Sequence, residues 1–431
     1  MSKFSSESSR ALGGPDWLVD WRARAAEQLE TLAWPTSADE AWRYSRIDDF
    51  DLNDFRPLTE AELGAAGVEA APGGGILAAE VGARAGLIVV RNGRVVHREL
   101  DDALASKGVR VEGLATTNEP KVRAALGTVA DASADAFTTL HDAFLAGGAA
   151  IYVPAGVVVE QPIVVVHWCE GNQVAVFPHT LVVAEAQSEV TIVERFESGA
   201  DRVFVDAVVE LRADDGANVR YLAVQEFGAA TVQVALQRAH LGRDARVRAA
   251  TVALGGGYAR QRCEARLDGA GAESDLMAVY YGDGSQMHDV RTLQDHVAPH
   301  TRSTLLFKGA VEESAQSVYS GLIRIREEAQ KAEAYQTNRN LVLTEGASAE
   351  SIPNLEIETN DVRCSHASTV GPIDDDQRYY LESRGVHPED AERLIVLGFF
   401  EDVFAKLPIR ALEPALRRAV SEKLGHLEPA S

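Results

Sequence analysis

A long stretch of short, β-rich segments constrains the fold of this chain more than any other feature. It extends from Ile151 to about Arg363, and acidic or glycine-containing turns separate its segments. Alanines stand shortly before several of these segments, at Ala217, Ala245, Ala272 and Ala347. The first two intervals are nearly equal and the last is much longer, so the repeat is degenerate. Such a repeat is typical of a solenoid, in which each coil buries its apolar face only by stacking on the next.

The β-sandwich is the other architecture whose strands have a similar length and composition. About 200 residues of strands with few long loops favour stacked coils instead. We therefore predict a mainly β protein with a parallel β-helix, or solenoid, as its core over residues 149–371.

The sequences on either side of this core have helical periodicity. Residues 1–15 are rich in serine and glycine and are expected to be disordered. Residues 16–148 form a predicted N-terminal, mainly helical domain with a small hairpin around the Asn92–Gly93 turn. Residues 372–431 form a predicted C-terminal helical domain, in which Pro388 suits the first position of a helix.

An apolar stripe follows Pro388 in the C-terminal domain. Its members recur at steps of four residues or flank those positions, and they include Ile395, Phe399, Phe400 and Val403. A stripe of this width is too apolar for one shallow contact. The pattern leaves two interpretations open: the stripe packs onto the solenoid and the N-terminal helices, or it docks to another protein.

Charge and composition exclude several classes of function. The net charge is −23, whereas sequence-independent binding to nucleic acids or to anionic membranes needs a basic surface. The sequence has no signal-like N-terminus and no uninterrupted apolar run of about 18 residues, so we expect neither secretion nor membrane insertion. The chain has three cysteines, Cys169, Cys263 and Cys364, and no two of them form a CxxC pair. This usage fits a reducing cytoplasm, which is the expected localisation.

Cys364 and His366 form a candidate metal-binding pair. Thiolate and imidazole are the side chains that best hold iron and zinc. In an extended strand, residues i and i+2 point to the same face, so both ligands would lie on one side. Two ligands make an incomplete metal site, and a partner would have to supply the others. Cys169 and Cys263 match no motif and are interpreted as structural.

Enzyme motifs of the nucleotide-binding and zinc-protease kinds are missing from the sequence. It contains no G-x-x-x-x-G-K-[ST], no G-x-G-x-x-G and no H-E-x-x-H. A β-solenoid carbohydrate-active enzyme would use carboxylates in an exposed groove, but Asp214–Asp215 and Glu312–Glu313 are interpreted as solvated turns. The histidines at His288, His296 and His300 are likewise interpreted as solvated loop residues. A carbohydrate-active solenoid and a plain structural or interaction solenoid remain the alternatives.

Four motifs in the last third of the chain resemble one known family. They are QTNRNL at residues 336–341, SIPNLEI at 351–357, NDVRCSH at 360–366 and YLESRG at 380–385. In this order they resemble the SufB/SufD family, the scaffold subunits of the SUF iron–sulfur cluster assembly system. Within that family, the Cys-Ser-His of the third motif and ADEAWRYSRIDDF near the N-terminus are most similar to the SufD type.

The resemblance implies a right-handed parallel β-helix between two helical regions. It also implies a non-catalytic scaffold that pairs with a SufB-type subunit and docks a SufC-type ABC ATPase through its C-terminal helices. A sulfur donor system would act indirectly, and the isolated chain would be able to form a homodimer. Iron or an iron–sulfur cluster would be held transiently at the shared interface, not permanently by this chain alone. On the same ground, His366 lies near that interface and handles the metal, with Cys364 as the adjacent candidate.

Overall fold

The computed structural model describes residues 3–64, 82–131 and 135–424. Parallel strands form the core of the molecule, and helices lie before and after them. The predicted mainly β fold with a parallel solenoid core is therefore confirmed, and the β-sandwich is excluded. Residues 1–2 and 425–431, at the ends of the predicted terminal segments, lie outside the described residues.

Successive strands of the solenoid alternate between two sheets. The first sheet contains β1 (Arg56–Pro57), β4 (Arg110–Gly113), β5 (Ala149–Val153), β7 (Val174–Val176), β8 (His179–Ala184), β10 (Val203–Ala213), β12 (Val232–Leu241), β14 (Tyr258–Leu267), β16 (Met287–His296), β18 (Gln316–Ile325) and β20 (Ser348–Ile357). The second sheet contains β2 (Gly86–Arg91), β3 (Arg94–Leu100), β6 (Ile163–Cys169), β9 (Glu189–Ser198), β11 (Asn218–Glu226), β13 (Arg246–Ala253), β15 (Glu273–Gly282), β17 (Arg302–Val311), β19 (Glu333–Val342) and β21 (Arg363–Gly371).

Parallel pairing in register aligns equivalent residues of successive coils. Arg246 of β13 pairs with Glu273 of β15, which pairs in turn with Arg302 of β17. Because side chains alternate along a strand, one set from each sheet faces the space between the sheets, here called the lumen. Lumen residues of both sheets, such as Val247 and Leu267, belong to one buried apolar cluster. Each coil thus buries its inner face against its neighbours, as the repeat predicts.

Small residues occupy one corner of successive coils. Backbone hydrogen bonds relate them from coil to coil, and all are buried: Ser188, Ala217, Ala245, Ala272, Thr301 and Ala332. A tight corner between two close-packed sheets leaves room only for a small inward side chain. Ala347 precedes β20 of the first sheet and so belongs to a different corner. The long last interval of the sequence repeat is thereby explained.

The N-terminal region consists of short helices that pack on the first coils. They are α1 (Ser6–Arg10), α2 (Asp16–Leu29), α3 (Glu60–Gly64), α4 (Asp102–Ser106), α5 (Pro120–Ala125) and α6 (Ala136–Phe144). The expected disorder of residues 1–15 is corrected for the described part, because α1 lies there with Ser5 as its N-cap. The Phe4 ring packs edge-on against Phe144, with centroids 5.1 Å apart. This one buried aromatic side chain anchors a segment whose composition is otherwise that of a flexible terminus.

The predicted hairpin belongs to the end of the solenoid. β2 and β3 pair antiparallel around Asn92 and Gly93, whose φ angles of 50° and 84° suit a tight hairpin turn. β2 also pairs in parallel with β6, and β4 pairs antiparallel with β5. The first coil is therefore covered by antiparallel strands at the edge of each sheet.

The C-terminal helices cover the outer face of the second sheet. They are α7 (Asp375–Ser383), α8 (Pro388–Phe404) and α9 (Glu413–Lys423). Val396, Phe400 and Leu416 of these helices share a buried cluster with Leu222 and Val279 of the sheet. None of the described helices is long and apolar enough to cross a membrane.

Two of the histidines interpreted as solvated are buried in the lumen instead. His288 and His296 lie on β16, where strand alternation turns both toward the interior. The ring nitrogens of His296 lie 2.8 Å from the hydroxyls of Thr301 and Ser303. Burial lowers the pKa of His288 to about 3 and the pKa of His296 to about 4. His300 is exposed, in agreement with the sequence interpretation.

Replacing Ala245 by leucine should destabilise the fold, because the larger side chain cannot fit the corner without displacing its neighbours. We expect the free energy of unfolding to fall by about 1–3 kcal/mol. The matched control is Ala230→Leu at an exposed turn, which should change the free energy by less than about 0.5 kcal/mol. Urea denaturation measures both, and equal midpoints would contradict the corner assignment.

Acid should weaken the fold through His288 and His296. Their pKa values are lower in the folded chain than the ordinary value of 6.5, so the unfolded state binds protons first. Their contribution is complete above about pH 6.5 and is lost as the pH falls toward about 4 and about 3, with a slope of at most about 1.4 kcal/mol per pH unit for each histidine. Urea midpoints of His296→Gln should therefore vary less with pH than those of the parent chain. His300→Gln is the control, and equal slopes for the two variants would contradict the prediction.

Candidate functional site

The last coil of the solenoid is uncovered. β20 pairs with β18 and β21 pairs with β19, and neither has a further strand neighbour among the described residues. Apolar side chains that face the lumen are exposed on this coil, namely Leu355 (36%), Ile357 (44%) and Val370 (41%). Unpaired strand edges and exposed apolar side chains form a surface that proteins normally cover. We call β20 and β21 the open end, and it is the candidate functional site.

Cys364 and His366 lie on β21 at the mouth of the lumen. In the register of the second sheet, His366 lies directly over Gln336 of β19. Ser368, on the same face of β21, bonds across the mouth to Ser351 of β20 with an Oγ–Oγ distance of 2.6 Å. Because Cys364 and His366 are related to Ser368 by steps of two, all three share the inward face of the strand.

The two candidate ligands differ in accessibility. His366 is exposed, whereas Cys364 is half-buried, and burial raises the pKa of its thiol. The thiolate, which is the form that binds a metal, is therefore less populated at neutral pH than in a free cysteine. Among the described residues, no group of three or more His, Cys, Asp or Glu side chains could hold a metal ion. Cys364 and His366 are therefore two candidate ligands that no third His, Cys, Asp or Glu joins in the described part of the chain.

A network of buried polar side chains lies directly beneath the mouth, and we call it the polar ledge. Asn338 is at its centre: its Nδ2 donates to Tyr280 Oη (3.0 Å), and its Oδ1 accepts from Asn340 Nδ2 (2.7 Å). The same Oδ1 accepts from Ser351 Oγ (2.7 Å), and Tyr280 donates to Asn340 Oδ1 (2.6 Å). Hydrogen bonds of this density in a low-dielectric interior hold the joined strands in one position.

The sequence contains a periodic signal for this ledge. Gln336, Asn338 and Asn340 recur with the strand period of two, which places three amides on one face of β19. As part of the QTNRNL motif, these residues by themselves indicate only the family resemblance. A row of amides inside an apolar lumen needs hydrogen-bond partners, so it predicts a buried polar network on that face.

The remaining cysteines and the acidic turns do not form a second candidate site. Cys169 and Cys263 are buried, and burial raises the pKa of the Cys263 thiol to about 12. Both are therefore poor nucleophiles and poor ligands at neutral pH. At the first acidic turn, Asp215 forms an ion pair with Arg243 at 3.2 Å. A carboxylate held in this way is a structural turn residue, as the sequence suggested.

The structure corrects two of the four α8 residues that were candidates for contact with a partner. Phe400 and Val403 are fully buried against the second sheet, so they cannot contact a partner in this conformation. Phe399 and Ile395 are half-buried, and the Lys308 ammonium lies 4.7 Å from the centre of the Phe399 ring. A helix turns about 100° per residue, so steps of four drift around its axis. The face that meets the sheet therefore mixes steps of three and four, and a strict step of four misjudges it.

The accessible apolar surface of the C-terminal helices lies elsewhere on α7 and α8. Tyr379 and Tyr380 of α7 are 74% and 57% exposed, and Leu394 of α8 is 52% exposed. Large apolar side chains exposed on neighbouring helices are typical of a surface that contacts another protein. Ile395 is only half-buried, so it stays a candidate.

Proteins similar to this chain share one function in iron–sulfur cluster assembly. The family described as "SUF system FeS cluster assembly, SufBD core domain" matches residues 167–399, and the "SufBD protein N-terminal region" matches residues 9–165. The iron–sulfur cluster assembly protein SufD of Bacillus subtilis is 31% identical over 426 residues, which cover 95% of this chain and 94% of the relative. A SufBD family protein of Mycobacterium bovis is 34% identical over 300 residues, covering 68% of this chain and 74% of the relative. The chain belongs to the SufBD family of iron–sulfur cluster assembly proteins.

Proposed function

We propose that this chain is a SufD-type scaffold subunit and that it pairs with a SufB-type subunit through its open end. The uncovered last coil carries this proposal, because its lumen-facing apolar side chains Leu355 and Ile357 are exposed, whereas lumen residues of the first coil such as Ile88 are fully buried. A partner that contributes strands to these edges would satisfy their backbone groups and cover Leu355 and Ile357. The same surface would allow the isolated chain to form a homodimer.

Iron and the growing cluster are the cargo of this interface. Cys364 and His366 would supply two ligand positions at the mouth of the lumen, and the SufB-type subunit would supply the others. Neither subunit alone would then hold the metal permanently. His366 is the stronger candidate, because its imidazole is exposed while Cys364 is half-buried. A sulfur donor system would contribute indirectly, by supplying sulfur to the assembled complex.

The C-terminal helices would provide the docking surface for a SufC-type ABC ATPase. Tyr379, Tyr380 and Leu394 are accessible there, with Ile395 and Phe399 beside them. The sequence has no P-loop, so ATP hydrolysis would belong to the docked partner. This chain would act as a non-catalytic scaffold that transmits the movement of the ATPase to the cluster interface.

A direct mechanical connection supports this coupling. Lys308 of β17 is buried, and its Nζ donates to the Phe399 carbonyl oxygen (2.6 Å) and to Asp402 Oδ2 (2.7 Å) of α8. β17 pairs with β19, which pairs with β21. β21 also continues through Pro372 into α7, so the helices contact the open end by two routes. Displacement of α8 by a closing ATPase would therefore shift the strand that bears His366.

Removing the His366 imidazole should abolish assembly without abolishing pairing. In the complex with the SufB-type subunit and the ATPase, we expect His366→Ala to reduce iron- and sulfide-dependent visible absorbance by about tenfold or more. His300→Ala, which removes an exposed histidine from a turn, is the matched control and should have no effect. If His366→Ala retained its partners and assembled as much cluster as the parent complex, the site assignment would be wrong.

The two proposed contact surfaces should be separable by single substitutions. Leu355→Asp puts a charge at the open end and should weaken copurification with the SufB-type subunit while leaving ATPase binding intact. Leu394→Asp puts a charge on α8 and should have the opposite effect. Both side chains are exposed, so neither change should lower the thermal midpoint appreciably. If each variant lost both partners, or if each variant kept both, the assignment of two separate contact surfaces would be wrong.

A further inference from the structure

Gln336 is a buried amide whose hydrogen bonds are unmet. Its residue is 2% exposed, and within the described part of the chain neither Nε2 nor Oε1 has a partner. Its neighbours along the strand, Asn338 and Asn340, are fully engaged in the polar ledge. A buried amide of this kind is costly, because folding has removed the water that it would otherwise bond, and a hydrogen-bond acceptor bound beside it would offset that cost.

The free amide lies one layer beneath His366. Gln336 of β19 pairs directly with His366 of β21, and both side chains are on the lumen face. Adjacent strands are about 4.8 Å apart, so the two side chains are neighbours in one column. On the opposite wall, a Cβ on Gly321 would lie 2.6 Å from Gln336 Nε2 and would also clash with the Tyr319 hydroxyl. The missing side chain of Gly321 therefore leaves room that the Gln336 amide itself occupies, and the amide reaches across the lumen to the opposite wall.

A second glutamine provides an internal comparison. Gln294 of β16 also faces the lumen, is fully buried, and has both amide atoms unpartnered among the described residues. Its upper neighbour in the sheet is Ile323, which is itself buried. Gln294 is thus covered by a buried apolar side chain. The residue above Gln336 is instead His366, which is exposed and is a candidate ligand.

The chemistry around Gln336 favours a sulfur acceptor over an oxyanion. The lumen faces of β20 and β21 carry apolar, hydroxyl, thiol and imidazole side chains, and neither face carries a lysine or an arginine. An oxyanion in a buried site normally requires such a cation. A neutral N–H donor beside a thiol and an imidazole suits the sulfur atoms of an iron–sulfur species, whose properties depend on hydrogen bonds to sulfur.

We propose that Gln336 is a positioning residue of the His366 site and that its Nε2–H donates a hydrogen bond to a sulfur atom of the iron- and sulfide-containing species held there. This inference rests on the proposed function. The amide forms the floor of the site, and Cys364 and His366 form its rim. The hydrogen bond stabilises the more electron-rich, reduced form of that species, since extra charge on sulfur strengthens an N–H donor contact.

The test uses the full complex with the SufB-type subunit and the ATPase, reconstituted anaerobically with ferrous iron and sulfide. Gln336→Met keeps the length of the side chain and removes its polar atoms, and Gln294→Met is the matched control. Two readouts are taken, the visible circular dichroism of the chromophore and its reduction midpoint potential. We expect Gln336→Met to alter the spectrum and to shift the potential to a more negative value. Gln294→Met should leave both as in the parent complex.

The alternative outcomes are distinct. If Gln336→Met and Gln294→Met give the same spectrum and potential as the parent, Gln336 only holds a lumen water and the inference is overturned. If the parent complex forms no iron- and sulfide-dependent chromophore, the proposed function fails and this inference fails with it. If Gln336→Met fails to fold or to pair, Gly321→Ala is the second variant. Its added methyl group would displace the Gln336 amide from the opposite wall while leaving the glutamine in the sequence. It is expected to shift the potential in the same direction, and an unchanged potential would overturn the inference.

Discussion

Parallel hydrogen bonding between successive coils is the interaction on which the rest of this structure depends. Each strand satisfies its backbone groups with the coil before and the coil after, and each lumen side chain is buried by the same neighbours. Such an arrangement cannot end without an exposed edge. At one end the hairpin and β4 form these edges over a buried lumen, and at the other β20 and β21 form them with lumen-facing side chains such as Leu355 and Ile357 exposed. The candidate site follows from this geometry, because a partner can complete only what the last coil leaves unpaired.

The helices after the solenoid have two faces that differ in burial. Val396, Phe400 and Phe404 of α8 are buried on the second sheet, while Leu394 stays exposed. The buried face holds the helix to the strands that lead to β21, and the ion pair between buried Lys308 and exposed Asp402 adds a directional contact. A helix with only one apolar face would use that face either for packing or for docking. Because α8 has both a buried and an exposed apolar surface, it would be able to connect a docked partner to the solenoid.

Local patterns predicted the elements well and their burial less well. The spacing of Ala217, Ala245 and Ala272 indicated stacked coils, yet Thr301 and Ala332 continue the same corner and were not recognised, because coil lengths vary along the solenoid. Strand alternation placed Cys364 and His366 on one face, but a residue pair cannot show whether that face is covered. Whether the apolar stripe of α8 packs or docks was left open for a similar reason: the neighbour that buries Phe400 is a sheet formed by distant parts of the chain.

The sequence by itself determined the mainly β solenoid, its helical flanks, the Cys-x-His pair and, through its motifs, the family. Tertiary structure alone decided which coil is uncovered, which face of α8 is accessible, and that the Gln336 amide lies beneath His366. Periodicity and side-chain chemistry are carried by residues close together in the chain, so they can be recognised without a fold. Burial and contact in a solenoid join residues one coil apart, and the register between coils exists only once the chain has folded.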